Sequence, residues 1–275
     1  MQDTSDHPPH TDRRAFLAGL AASPFVLTGT GVFNGAVRAQ AAEAGLIAPN
    51  VCMMTPEVTE GPFYTDPGLV RRDITEGFPG VPLRMRIQVV DTDCTPLKDA
   101  RVDIWHCDAA GNYSGYARQG SDGTLDTSGQ TFLRGTQVSN AGGLVRFDTI
   151  YPGWYRGRTT HIHYKVFLDG ATVLTSQIFF PDALSAYLFQ SVAPYSERRG
   201  DRDTVNANDG IARQAGDGAY AAIREQAGYF DAALVVGVAP DAVSTQGMEG
   251  SRPPGPPPGD RPRAEAPLPM VPGQD

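Results

Sequence analysis

The feature that most constrains this chain is a series of short apolar runs punctuated by turn residues between Leu83 and Val238. The first run, LRMRIQVVD (83–91), places Leu83, Met85, Ile87 and Val89 on alternate positions. The runs that follow are ARVDIWHC (100–107), FLRGTQVSN (132–140), LVRFDTI (144–150), THIHYKVFL (160–168), TVLTSQIFF (172–180) and FDAALVVGV (230–238). A period of two, broken by segments such as TDCTPLKD, AGG and DGA, is the pattern of half-buried strands joined by tight turns. Seven such runs predict an all-β fold, an antiparallel β-sandwich of about seven or more strands with short helices and long loops. Helical patterning is confined to PDALSAYLFQ, opened by Pro181, and to a weaker signal over 218–226.

The two ends of the chain read differently. Residues 1–41 carry Arg13-Arg14 followed by Phe16-Leu17, a mildly apolar run and an Ala39-Gln40-Ala41 cleavage pattern. That arrangement predicts a twin-arginine signal peptide, a periplasmic or secreted location and a mature chain starting at Ala42. The apolar run is too broken for a membrane span, and none is expected after signal removal. Residues 42–82 form a Pro-, Gly- and Thr-rich stretch expected to be an extended arm. The β-sandwich is expected over 83–240, and a disordered Pro/Gly-rich tail over 241–275. The net charge of −8 argues against nucleic acid as a partner.

Chemistry concentrates in YRGRTTHIHYKV (155–166). On a strand, His161 and His163 share one face about 7 Å apart, close enough to converge on one ion, while Ile162 points the other way. Tyr164 follows His163 and falls on the opposite, core-facing side. Tyrosines crowd this region, at Tyr113, Tyr116, Tyr151 and Tyr155. Histidines with tyrosinate oxygens favour a hard trivalent ion such as Fe(III) over zinc.

Four segments carry a resemblance to the intradiol ring-cleavage dioxygenases: TPEVTEGPFY, ARVDIWHCDAAGNYSGY, IYPGWYRGRTTHIHYKV and LTSQIFFPD. The resemblance implies a non-haem Fe(III) cofactor held by Tyr113, Tyr155, His161 and His163. Tyr116 stands as the alternative to Tyr113, and Tyr151 as the alternative to Tyr155. It also implies that Tyr155 doubles as a base, that Arg158 stabilises charge on the substrate ring, and that Gln177 lies near the substrate. Tyr64 is placed in the pocket wall, and Trp105 is read as core. The implied reaction cleaves a catechol-type ortho-diol between its two hydroxylated carbons with O2, giving a muconate-type diacid. Expected partners are therefore a small aromatic ortho-diol and O2, with a homodimer as the assembly to test. The alternative is a non-catalytic exported β-sandwich that binds a ligand or a metal.

Cysteine use adds one expectation. In an exported protein, Cys94 and Cys107 flank a turn-plus-strand unit where an expected disulfide would leave Cys52 as the odd thiol, with three free buried thiols as the alternative.

Overall fold

The computed structural model describes residues 53–246, apart from Pro67, Ser121 and Arg199. The expected signal peptide over 1–41, Cys52 and the expected tail from residue 247 onward lie outside the described residues.

Among the described residues, eight strands form two four-stranded sheets. In chain order they are β1 (Pro82–Val90), β2 (Arg101–Trp105), β3 (Arg134–Val138), β4 (Leu144–Ile150), β5 (His161–Leu168), β6 (Ala171–Phe179), β7 (Ala222–Gln226) and β8 (Tyr229–Gly237). One sheet has the order β4-β1-β8-β7 and the other β3-β2-β5-β6. The all-β sandwich expected from the alternating runs is the observed fold. One pairing departs from the antiparallel rule: β1 lies parallel to β8. The first and last strands meet in the middle of one sheet, so the whole intervening chain serves as their crossover.

The period of two in β1, β5 and β8 is spent on the interface between the sheets. Leu83, Met85, Ile87 and Val89 face Ile162, Tyr164 and Val166 in one continuous core, closed by Ala232, Leu234 and Val236. Each large aliphatic side chain withdrawn from water there contributes about 1.5–3 kcal/mol.

Two elements differ from expectation. The weak helical signal over 218–226 resolves into a single 3₁₀ turn at Asp217–Ala219 and the strand β7. Gln226 pairs with Tyr229, so Ala227-Gly228 is a two-residue hairpin loop with Gly228 at φ 86°. Such a loop demands positive φ, which glycine adopts without steric cost, and the hairpin overrides the local helical preference. Two α-helices lie between the strands of this region: α1 (Asp182–Ser191) and α2 (Gly210–Ala215). The first is the expected one. The second is short and is fixed at its start by Asp209, whose Oδ1 accepts from the amides of Ile211 and Ala212.

The expected Cys94–Cys107 disulfide does not form. Cys107 is a free, buried thiol, whereas Cys94 is disulfide-bonded. The reason is the length of β2. Cys94 sits in the turn after β1 and Cys107 just past the far end of β2, whose five residues alone span roughly 17 Å. A disulfide tolerates at most about 7 Å between Cα atoms.

Candidate metal centre

The face of β5 opposite the core carries His161, His163 and Lys165, all buried. What covers them is not a second sheet but the segment 53–64 and the aromatic loops. This segment is tied along β6 by Val58 N to Thr175 O and by Ser176 Oγ to Pro56 O. It crosses His163 at Gly61, where an added Cβ would stand 3.2 Å from His163 Cε1, with φ at 70°. Both the close approach and the left-handed backbone require glycine there. Beyond it, Glu60 forms a buried ion pair with Lys165.

Register places two further groups on this face. Trp105 pairs with His163 across β2–β5, and Gln177 pairs with His163 across β5–β6. Trp105 stacks on the His163 imidazole at 4.9 Å and 10°. It is buried, as expected, but against the histidine rather than between the sheets.

The two tyrosines arrive from loops. Tyr113 is held under Phe63, stacked at 4.3 Å. Tyr155 opens a tight turn in which Arg158 N donates to Tyr155 O and Gly157 adopts φ 79°. The result is a convergence on His161 Nε2. Tyr155 Oη lies 3.0 Å away, His163 Nε2 3.0 Å and Tyr113 Oη 3.4 Å. The alternatives are elsewhere. Tyr116 hydrogen-bonds Tyr64 O, and Tyr151 is in the core with its hydroxyl on Ser185 Oγ.

Electrostatics keep all four groups neutral in the metal-free chain. Burial depresses both imidazoles well below their ordinary range, and the Arg158 charge adds to this. Burial raises the Tyr113 phenol well above its ordinary value and pushes Tyr155 up to about 12, the nearby Arg158 partly opposing the latter. The donor set fits a hard cation. His161 Nδ1 lies 2.7 Å from Thr159 O, which can only accept, so Nδ1 carries the proton and Nε2 presents a bare lone pair. Two phenols and a second imidazole nitrogen crowd that lone pair, and His163 Nδ1 is buried without a hydrogen-bond partner among the described residues. A trivalent cation would use both imidazole lone pairs and stabilise the phenols as phenolates.

Arg158 stands beside this cluster. Its Nε donates to Asp209 Oδ2 at 2.9 Å and its Nη2 to Gln177 Oε1, while Gln177 Nε2 donates to Thr59 O at 2.9 Å. Tyr64 is set one layer back. Its ring tilts against Trp105 at 4.8 Å and its hydroxyl donates to buried Asp103 at 3.0 Å, so it is not brought to the histidines. Asp209, Thr159, Glu60 and Lys165 were not legible as site residues. Asp209 has a sequence signature only as a helix cap, the Asp-Gly before a short helical run.

Comparison with known proteins agrees with this geometry. Residues 56–196, about half of the chain, match the family model described as dioxygenase. An intradiol ring-cleavage dioxygenase structure from Tetranychus urticae is 35% identical, with a TM-score of 0.65, and the match covers 70% of this chain and 98% of that one. Catechol 1,2-dioxygenase of Acinetobacter baylyi is 28% identical over 205 residues, covering 63% of this chain and 62% of the relative. The β chain of protocatechuate 3,4-dioxygenase from Burkholderia cepacia is 34% identical over 138 residues, covering 44% and 57%. The chain thus spans about three fifths of the length of these two curated relatives. The chain belongs to the intradiol ring-cleavage dioxygenase family.

Proposed function

We propose that this protein binds non-haem Fe(III) through Tyr113, Tyr155, His161 and His163 and cleaves catechol-type ortho-diols with O2 between the two hydroxylated carbons. The observation that carries this reading is the approach of three oxygen or nitrogen donors to His161 Nε2 within 3.0–3.4 Å, with a guanidinium beside them. Ferric iron held by Tyr113, Tyr155, His161 and His163 would supply Lewis-acid chemistry toward an ortho-diol and O2.

The chain's own groups do the rest. Tyr155, a phenolate while it holds the cation, would take up a diol proton at Oη and become the neutral phenol that burial here favours. His161 is held in one tautomer by Thr159 O, so its ring neither rotates nor gives up the Nδ1 proton. Arg158, always charged, stabilises negative charge that develops on the ring. Trp105, Phe63 and the Gly61 backbone exclude water behind the histidines, which strengthens each of these interactions.

Reconstitution with ferric iron tests this reading. The loaded protein should be red-brown from tyrosinate-to-iron charge transfer, should change colour with catechol under nitrogen, and should consume O2 with catechol in air. A protein that stays colourless and iron-free after loading would refute it. Oxygen uptake across substituted catechols then identifies the diol.

The proposal includes export by the twin-arginine route. It rests on Arg13-Arg14 and gains support from the disulfide at Cys94, which suits an oxidising compartment. Among the described residues no helix is long and apolar enough to cross a membrane. Retention of an Arg13→Lys/Arg14→Lys variant in the cytoplasm, with normal export of the parent, is the expected result. Equal export of both would refute the route.

A further inference from the structure

The turn that carries Tyr155 and Arg158 is gripped from behind by one downstream segment, residues 203–209. Three of its side chains, spaced three apart, reach consecutive parts of the turn. Asp203 Oδ1 accepts from Gly157 N at 3.0 Å, and Asn206 Oδ1 accepts from Thr159 Oγ1 at 2.9 Å. Asp209 Oδ2 accepts from both Thr159 N and Arg158 Nε at 2.9 Å. This segment lies beyond residues 56–196, the portion matched to the family.

Asp209 is the most deeply buried of the three side chains. It is 2% exposed, so its charge is withdrawn from water and requires partners. Each carboxylate oxygen has a separate task, since Oδ1 caps α2 while Oδ2 holds the Arg158 turn. With Nε on Asp209 and Nη2 on Gln177, the guanidinium has one orientation, and Nη1 has no protein partner among the described residues. Thr159 gives its N–H to this carboxylate and accepts from His161 Nδ1 at its own carbonyl, so the carboxylate braces the residue that orients one imidazole as well.

We propose that Asp209 is the positioning residue for Arg158. It holds the guanidinium by Nε so that the Nη1 edge is free for the substrate, and it does not touch the substrate itself. This inference rests on the proposed function of Arg158. An unrestrained arginine is rich in rotamers, and a displacement of about 1 Å at a reacting centre can lower rate by roughly 10²-fold.

Asp209→Asn separates the two tasks. Asparagine caps a helix about as well as aspartate, so α2 keeps its start. Its single oxygen cannot serve both α2 and the turn, and its amide donates toward groups that also donate. In iron-loaded protein the variant should keep the visible band and lose about 10²-fold in kcat with a smaller change in KM. The double variant Arg158→Ala/Asp209→Asn should be no slower than Arg158→Ala alone, because residues that act through one another are not additive. In metal-free protein, 1H–15N NMR should show the Arg158 Nε–H protected from solvent exchange in the parent and exchanging rapidly in Asp209→Asn. Asp209→Ser, which keeps a cap oxygen and drops the second, gives the same reading if the Asn variant does not fold. The inference is overturned if Asp209→Asn slows Arg158→Ala by the same factor as the parent, or if Arg158 Nε–H exchange is unchanged. Failure of iron-loaded parent protein to turn over any ortho-diol would instead overturn the functional reading alone, because the exchange measurement needs neither iron nor diol.

Discussion

The two faces of β5 are equally buried and chemically opposite. Ile162, Tyr164 and Val166 point into the core between the sheets, while His161, His163 and Lys165 point outward and are still at most 5% exposed. The difference lies in what covers them. The inner face meets another sheet, whose backbone is already satisfied in its own ladder, so only apolar contact is on offer. The outer face meets irregular chain, the segment 53–64 and the aromatic loops, which bring backbone carbonyls, carboxylates and phenols within reach of ionisable groups. Burial by a sheet makes a core, and burial by loops can make a site.

The largest effect that sharpens this comparison is His161→Ala on the outer face. It should abolish iron retention and lower turnover by at least about 10³-fold, since the Lewis acid leaves with it. Iron analysis and oxygen uptake measure both, and full retention of iron would disprove the ligand assignment. Lys165→Ala comes next, because it strands the buried Glu60 carboxylate. Breaking such a pair costs about 3–5 kcal/mol in stability, whereas Lys165→Met combined with Glu60→Gln should recover most of it. Urea melts of the three proteins decide, and equal losses for single and double variants would show that packing rather than charge is at stake.

On the inner face, Ile162→Ala should cost about 3 kcal/mol by cavity formation while leaving the visible iron band in place. A shifted band would show that the two faces are not independent. The smallest effect tests the exception to the rule. His106 is an imidazole facing inward, with Nδ1 to Cys107 O at 2.8 Å and Nε2 to Thr149 Oγ1 of β4 at 2.7 Å. Burial lowers its pKa to about 4. The unfolded imidazole, near 6.5, takes a proton first as pH falls, so this stability is complete above about 6.5 and is lost down to about 4. The loss amounts to up to roughly 3 kcal/mol. Melts of metal-free parent and His106→Gln at pH 7 and 4.5 should differ in slope by that share, and parallel slopes would remove His106 as the cause.

Legibility in the sequence followed range. The strand runs, the helix after Pro181 and the pairing of His161 with His163 on one face are set by neighbours in sequence, and the alternating pattern exposed them. The missed hairpin strand β7 was a conflict between weak local helical preference and a two-residue loop ending in Gly228. The incorrect disulfide came from counting residues between Cys94 and Cys107 without the extended length of β2. Trp105 against His163 needed the β2–β5 register, and the Arg158–Asp209 contact joins residues 51 positions apart.

The sequence by itself determined which side of each strand is apolar and which residue types could ligate a hard metal, because a side chain's direction on a strand and its donor atoms are local properties. Only the tertiary structure decided that Tyr113 and Tyr155, rather than Tyr116 and Tyr151, meet His161, that segment 53–64 seals the site, and that Asp209 holds Arg158. Those outcomes depend on loop closure over long separations, where the chain's path is fixed by the packing of the two sheets and not by any residue's neighbours.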